Sequence, residues 1–224
     1  MINRDFWLGR KVLITGHTGF KGSWLTLLLA NLGSKITGVA LDPLKEPSLF
    51  KLLELSNDIK DIRCDIRDHK ALKKVISNEK PEIIIHMAAQ PLVRKSYQEP
   101  LLTYETNVNG TVNLLESARS LESLKLIVVV TSDKCYKNLN SDYSYLEDDA
   151  LGGNDPYSSS KACAEIVTSA YRNSFFDINN VGVATVRAGN VIGGGDWSED
   201  RLIPDAIDAF SKQEDLVIRY PHAR

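Results

Sequence analysis

The chain has 224 residues, 43% hydrophobic and 25% charged, with a formal net charge of −2. This is the composition of a soluble globular α/β protein, and the near-zero charge argues against a surface built for nucleic acid or for an anionic membrane. The three cysteines, Cys64, Cys135 and Cys163, match neither a disulfide framework nor a zinc site and fit isolated thiols in a reducing compartment.

The first residues, Met1-Ile2-Asn3-Arg4-Asp5, hold no apolar leader core, and the run Trp24 to Ala30 is far shorter than the ~20 residues of a membrane span. A cytoplasmic protein without a resident metal is expected. Lys11 to Thr15 is a short β-branched strand ended by Gly16. A helix follows over Ser23 to Leu32 and stops at Gly33. Lys35 to Leu41 is a second strand, and Ile59 to Ile66 a weaker third. Asp68 opens a helix to about Asn78, with Leu72, Val75 and Ile76 on one face. Glu82 to His86 is a fully apolar strand after Pro81. Pro100 to Arg119 is a long helix, with Leu101, Val108, Val112 and Leu115 near helical spacing. Leu126 to Thr131 is another apolar strand. The stretch from Tyr136 to Pro156 is irregular and long enough to suggest a functional loop. Tyr157 to Phe175 is a helix, Val181 to Arg187 a strand, and one short helix and one short strand are expected beyond Gly193-Gly194-Gly195.

Strands alternate with helices, and several strands are apolar on both faces. This predicts an α/β fold, a Rossmann-type doubly wound parallel sheet covered on both sides. The division expected is residues 1–187 as a dinucleotide-binding domain carrying the catalytic residues, and 188–224 as the start of a C-terminal substrate domain.

The stretch "TGHTGFKGSWL" places Gly16, Gly19 and Gly22 at three-residue spacing between the first strand and the first long helix. Glycines there allow a tight turn and a close approach of backbone to pyrophosphate, and the helix N-terminus favours the negative charge. The same residues also fit a helix-start turn with no ligand. Asp42 ends the second strand about 20 residues after the loop, where a carboxylate accepts from both ribose hydroxyls of an adenosine and repels a 2′-phosphate, favouring NAD over NADP. Lys45 nearby weakens that preference. Tyr157 and Lys161 form Y-x-x-x-K and share a helix face. An ammonium beside a phenol favours phenolate, so this tyrosine is a candidate base. Ser132 follows the fifth strand, at the end of the sheet where such folds place their chemistry, and could polarise a substrate oxygen.

Together with "IIHMAAQPLVRKSY", "TNVNGTVNLLE", "VVVTSDKCY", "PYSSSKACAE" and "RAGNVIGGGDW", these stretches resemble the extended short-chain dehydrogenase/reductase superfamily, and within it the CDP-glucose branch of the nucleotide-sugar 4,6-dehydratases. The resemblance runs through nearly the whole chain. It implies conversion of CDP-glucose to CDP-4-keto-6-deoxyglucose with transient reduction of NAD. It makes Tyr157 the base at the sugar 4-hydroxyl, helped by Lys161 and Ser132. Asp133 becomes the acid for the departing 6-hydroxyl. Lys134 stands where related dehydratases carry Glu and becomes the C5 base, which requires a neutral amine. A solvated ion pair is the plainer reading of Asp133-Lys134.

The resemblance also implies cofactor contacts from Thr18, Phe20 and Lys21 in the loop, from Asp65 and Ile66 at the adenine, from Ala88, Ala89 and Gln90 along the nicotinamide ribose, and from Asn107, Tyr157 and Lys161. Substrate contacts would come from Asn190, Arg201 and Leu202, and the Gly193–Gly195 loop would hold the sugar-nucleotide diphosphate. Plainer readings stand beside these: a turn at Asp65, a satisfied core amide at Asn107, a simple glycine turn at 193–195. His17 has no evident physical role, and His86 reads as a packed strand end. Members of the superfamily pair as homodimers through the helices that carry Asn107 and Tyr157. They are longer than this chain, which stops within the first elements of the substrate domain at "LVIRYPHAR" and so reads as a truncated piece. A 4-epimerase or reductase on the same scaffold would need no elimination pair, and a non-catalytic NAD-binding fragment remains the reading from another class.

Overall fold

A computed structural model of the chain describes residues 2–43, 46–139, 141–219 and 221. Six strands, β1 (Lys11–Thr15), β2 (Lys35–Ala40), β3 (Lys60–Arg63), β4 (Ile83–His86), β5 (Leu126–Val130) and β6 (Gly182–Val186), form one parallel sheet in the order β3-β2-β1-β4-β5-β6. Chain order reverses between β1 and β4. Loops leaving these two strands diverge to opposite sides and open a crevice at their carboxyl ends, which is where such sheets bind ligands. The Rossmann-type expectation holds.

Alternation along each strand sends side chains to two cores. Leu13, Val39, Ile84, Ile127 and Val129 pack on one face with Leu114, Leu115 and Phe176. Val12, Ile14, Ile36, Ile83 and Ile85 pack on the other with Leu29. Nine α-helices are described: α1 (Arg4–Trp7), α2 (Phe20–Asn31), α3 (Leu49–Leu52), α4 (His69–Glu79), α5 (Val93–Gln98), α6 (Pro100–Tyr104), α7 (Gly110–Ala118), α8 (Pro156–Tyr171) and α9 (Leu202–Ser211). Asp68 caps α4, accepting from Ala71 N at 3.0 Å, and Leu72 and Ile76 are its buried face. Asp155 caps α8 in the same way, with Pro156 at the first helical position.

Several expectations shift. α2 begins at Phe20, three residues before the expected Ser23, because Gly19 serves as its N-cap. β3 stops at Arg63, where its ladder with β2 ends, and Ile66 packs instead over Gly110. The long helix is interrupted by a π turn over Glu105–Asn109. α1, α3 and α5 were not expected, and the short strand expected after β6 is absent among the described residues. Lys45 and the last residues of "LVIRYPHAR" lie outside them. No helix among the described residues is long and apolar enough to cross a membrane, and Cys64, Cys135 and Cys163 are free thiols.

Candidate active site

The three glycines do different work. Gly16 has φ +77°, a conformation side chains resist, and a Cβ there would lie 2.7 Å from Ala88 N. The turn after β1 therefore presses directly on the segment leaving β4. A Cβ on Gly22 would overlap the Gly16 carbonyl, so the first turn of α2 sits tight on the loop. Gly19 faces open space: its Cβ would meet nothing nearer than Gly16 O at 3.4 Å. No side chain caps the start of α2, which leaves an uncapped helix N-terminus facing an open glycine, the form a dinucleotide pyrophosphate fits. Thr18, buried, donates to Leu41 O at 3.0 Å and fixes the loop to the end of β2. Phe20 and Trp24 reach the loop beyond β6. The Phe20 ring lies 3.2 Å from where a Cβ of Gly193 would be, and Trp24 Nε1 donates to Gly194 O at 2.9 Å. Lys21 is half-buried, its ammonium pushed below the ordinary lysine range by burial and by Arg201.

Just past β2 Asp42 is exposed and accepts from Arg63 Nε at 2.7 Å. Arg63 also donates to Asp61 at 2.5 Å and stacks its guanidinium over Phe50. His17 joins this network. The ring is fully buried, and its Nε2 lies 2.8 Å from Asp61 Oδ1. A Cβ at Gly38 would lie 2.5 Å from the ring, so β2 carries a glycine where the imidazole lies on it. Burial holds His17 below its ordinary pKa although Asp61 opposes this. Asp65 is turned back on Arg67, which donates from Nε and Nη2 and keeps the carboxyl low. Ile66 is buried, and Asn113 holds its carbonyl at 3.0 Å.

At the carboxyl ends of β1 and β4 Thr15 Oγ1 accepts from Met87 N and Ala88 N at 3.0 and 3.1 Å and sits 2.7 Å from His86 Nδ1. Those two accepted bonds leave its hydroxyl proton for the imidazole. Thr111 donates to Asn107 O at 2.7 Å and so accepts from His86 Nε2 at 3.2 Å. The network thus assigns a neutral His86 protonated on Nε2, and burial pushes its pKa down to about 3. Asn107, on the π turn, takes Gln90 N at 2.8 Å and donates to Gln90 O at 3.1 Å and Ser160 Oγ at 2.9 Å. It is a satisfied core amide, and it also clamps the Ala88-Ala89-Gln90 segment to α8. π turns often mark functional sites.

Ser132, Asp133 and Lys134 at the carboxyl end of β5 lie beside Tyr157 and Lys161 of α8. Ser132 is buried, donates to Asp133 Oδ1 at 2.9 Å and accepts from Lys134 N at 3.2 Å. Tyr157 and Lys161 are both buried on α8. The phenol is pushed up by burial, against the pull of Ser132 and Arg201. Lys161, expected to lower this phenol, is not among the groups that pull it down; its ammonium donates to Val130 O at 3.2 Å. Burial and Lys21 bring Lys161 down to about 8, while Glu165 and Cys135 work the other way. Asp133 and Lys134 are exposed. The segment after β6 passes over them, with Asp133 N donating to Ala188 O at 3.2 Å. Asn190 is exposed beyond it. Arg201 is brought within electrostatic reach of Tyr157 and Lys21, whereas Leu202 is 58% exposed.

Sequence reasoning missed Arg63, Thr15, Ser160, Glu165 and Arg187. Each acts across the sheet on a partner distant in the chain, so no local spacing marks it.

Residues 13–214 match the family model described as GDP-mannose 4,6 dehydratase. The CDP-glucose 4,6-dehydratase of Salmonella typhimurium is 52% identical over all of this chain and 64% of its own length. Among solved structures, a dTDP-glucose 4,6-dehydratase from Bacillus anthracis in complex with NAD is 26% identical, with a TM-score of 0.76 over 93% of this chain and 63% of that one. A UDP-N-acetylglucosamine 4-epimerase from Methanobrevibacter ruminantium shares the fold at 23% identity, with a TM-score of 0.80 over 94% of this chain and 66% of that one. The chain spans less than two thirds of each of these relatives.

Proposed function

The chain belongs to the GDP-mannose 4,6 dehydratase family, and from that premise we propose that it is a nucleotide-sugar 4,6-dehydratase converting CDP-glucose to CDP-4-keto-6-deoxyglucose with NAD. The observation that carries the proposal is the place of Ser132, which donates to Asp133 Oδ1 at 2.9 Å and also pulls down the phenol of the buried Tyr157. It joins the groups an alcohol oxidation needs to a pair suited to an elimination.

The glycine cradle and the start of α2 would take the pyrophosphate, Asp42 the adenosine ribose, Asp65 and Ile66 the adenine, and Ala88 to Gln90 with Lys161 the nicotinamide ribose. The chemistry that NAD held there would supply is a reversible hydride acceptor for the sugar. Tyr157 takes the proton of the 4-hydroxyl, with Ser132 donating to the oxygen that develops charge. The Lys161 ammonium opposes the charge left on the phenolate. A ketone at C4 acidifies the C5 proton, which Lys134 removes while Asp133 protonates the 6-hydroxyl, and water leaves; the proton held by Lys134 goes back to C5 as hydride is delivered to C6. Asn190 and Arg201, with Leu202 at the start of α9, would meet the sugar nucleotide.

Residues 1–187 form the cofactor half in this reading, and 188–224 belong to the substrate half. Pairing of two copies through the helices that carry Asn107 and Tyr157 is supported by Leu101 and Ile166, apolar and 71% and 57% exposed on them. A cytoplasmic setting is supported by the free thiols.

Incubation with CDP-glucose and NAD, with products weighed by mass spectrometry, tests the proposal. Loss of one water from the sugar supports it. An isomer or a reduced sugar points to an epimerase or reductase, and NAD binding without turnover to a non-catalytic role; either result overturns it.

A further inference from the structure

Glu165 lies one helical turn after Lys161 on α8 and is 5% exposed. A carboxylate that deep needs a partner. Arg187, just past β6, supplies it with two bonds, Nε to Oε1 at 2.9 Å and Nη2 to Oε2 at 3.0 Å. This is the two-pronged match of guanidinium to carboxylate, and it fixes orientation as well as charge. Thr131, the residue before Ser132, donates its hydroxyl to the same carboxylate. The remaining Arg187 nitrogen turns outward. Nη1 donates to Tyr136 Oη at 2.9 Å and to Glu147 O at 2.9 Å, and the guanidinium carbon stands 4.8 Å from the Tyr136 ring centre. Tyr136 opens the irregular loop that leaves Lys134, and Glu147 lies on its returning limb. The two limbs also meet directly, Lys137 N donating to Ala150 O and Gly152 N to Cys135 O, each at 2.8 Å.

We propose that Arg187 and Glu165 are a positioning pair that fastens the loop following Ser132-Asp133-Lys134 to the helix presenting Tyr157 and Lys161. The inference rests on the reading of those five residues as the reacting groups. One guanidinium reaches the end of β6, the middle of α8 and both limbs of the loop, and its carboxylate partner reaches the end of β5. Neither side chain is needed to contact sugar or cofactor for this.

The pair also sets the electrical surroundings of Lys161. The groups that face this ammonium are Lys21 from α2, His86 from β4, Cys135 from the turn after β5 and Glu165 from its own helix, with Arg187 of the β6 side neutralising Glu165. Glu165 favours the charged amine, while burial and Lys21 disfavour it. Removing the carboxylate therefore moves the alkaline limb of turnover to lower pH.

The test compares Arg187→Met, Arg187→Lys and Glu165→Gln with the parent in the whole protein. The first readout is hydrogen exchange of residues 136–151, which needs neither turnover nor cofactor. Arg187→Met is expected to raise exchange there about tenfold while amides of β1 and β4 stay protected. Arg187→Lys, a point donor without the fork, restores part of that protection. On CDP-glucose, Arg187→Met lowers kcat about tenfold or more with KM within about threefold, as loss of positioning rather than binding predicts. Glu165→Gln shifts the alkaline limb down. Should Arg187→Met fail to fold, Tyr136→Phe removes one of the two loop-side bonds, leaving that to Glu147 O, and is expected to loosen the same residues to a smaller degree. Loop exchange unchanged in a folded Arg187→Met or in Tyr136→Phe overturns the positioning pair. If loop exchange rises but the parent removes no water from CDP-glucose, the pair stands as a fastening of the loop and the dehydratase reading falls.

Discussion

Asn107 Nδ2 donates to Ser160 Oγ at 2.9 Å, and this bond ties the π turn of the long helix to the helix presenting Tyr157 and Lys161. The same amide holds both backbone groups of Gln90. An Asn107→Ala substitution strands the buried N–H and C=O of Gln90. It is expected to cost about 1–3 kcal/mol, the penalty of unpaired buried groups. Urea unfolding checks this, as a lower midpoint at unchanged slope.

Gly19 and Gly22 separate ligand space from packing. Gly22→Ala is expected to lower the melting temperature, because its methyl overlaps the Gly16 carbonyl. Gly19→Ala meets only Gly16 O at 3.4 Å and is expected to melt like the parent while losing about tenfold or more in NAD affinity. Equal NAD affinity in Gly19→Ala and parent would remove the pyrophosphate from this cradle.

His86 makes the fold acid-sensitive. Its folded pKa, about 3, lies below the ordinary 6.5, so the unfolded chain takes up the proton first. Stability from this group is full above about pH 6.5 and declines as the pH falls toward 3. Denaturant unfolding at a series of pH values is expected to show that decline in the parent and to show a shallower one in His86→Gln. Parallel curves would mean that the imidazole is charged inside the fold.

Lys134 and Tyr157 divide the proposed reaction. Lys134→Met is expected to leave oxidation at C4 while elimination falls by about 10²–10⁴, the usual worth of a proton-transferring group. Trapping with borodeuteride reads this as deuterium at C4 of a sugar that keeps its 6-hydroxyl. Tyr157→Phe is expected to lose both steps with NAD still bound. Normal water loss in Lys134→Met would reassign the C5 base.

Much of the fold was readable because β1, β4 and β5 are unbroken apolar runs buried on two faces, and because Asp68 announces α4. β3 was overdrawn: Cys64 and Ile66 are apolar and buried in the core, yet the ladder ends at Arg63 and Ile66 packs over Gly110. α5 hid between Pro91 and Pro100 with only Ser96 buried, so it carries no apolar stripe. In the site, glycine spacing and Y-x-x-x-K are local signals. The Arg187–Glu165 pair spans 22 residues and two elements, and nothing in either neighbourhood marks it. His17 is the reverse case: its position was plain, but its contact with Gly38 and Asp61 exists only once β1, β2 and β3 lie side by side.

The reversal of strand order has a consequence during synthesis. Thr15, which ends β1, is joined to His86 of β4, 71 residues later. At roughly 5–20 residues per second the ribosome needs about 4–14 s to deliver that partner. Until then β1 can lie only against β2, and the glycine turn lacks the Ala88 backbone it presses on. The nucleotide cradle is thus a late product of translation although its residues are among the first made. A pause before Ile83 would leave β1 bare on one edge, a state for chaperones to shelter.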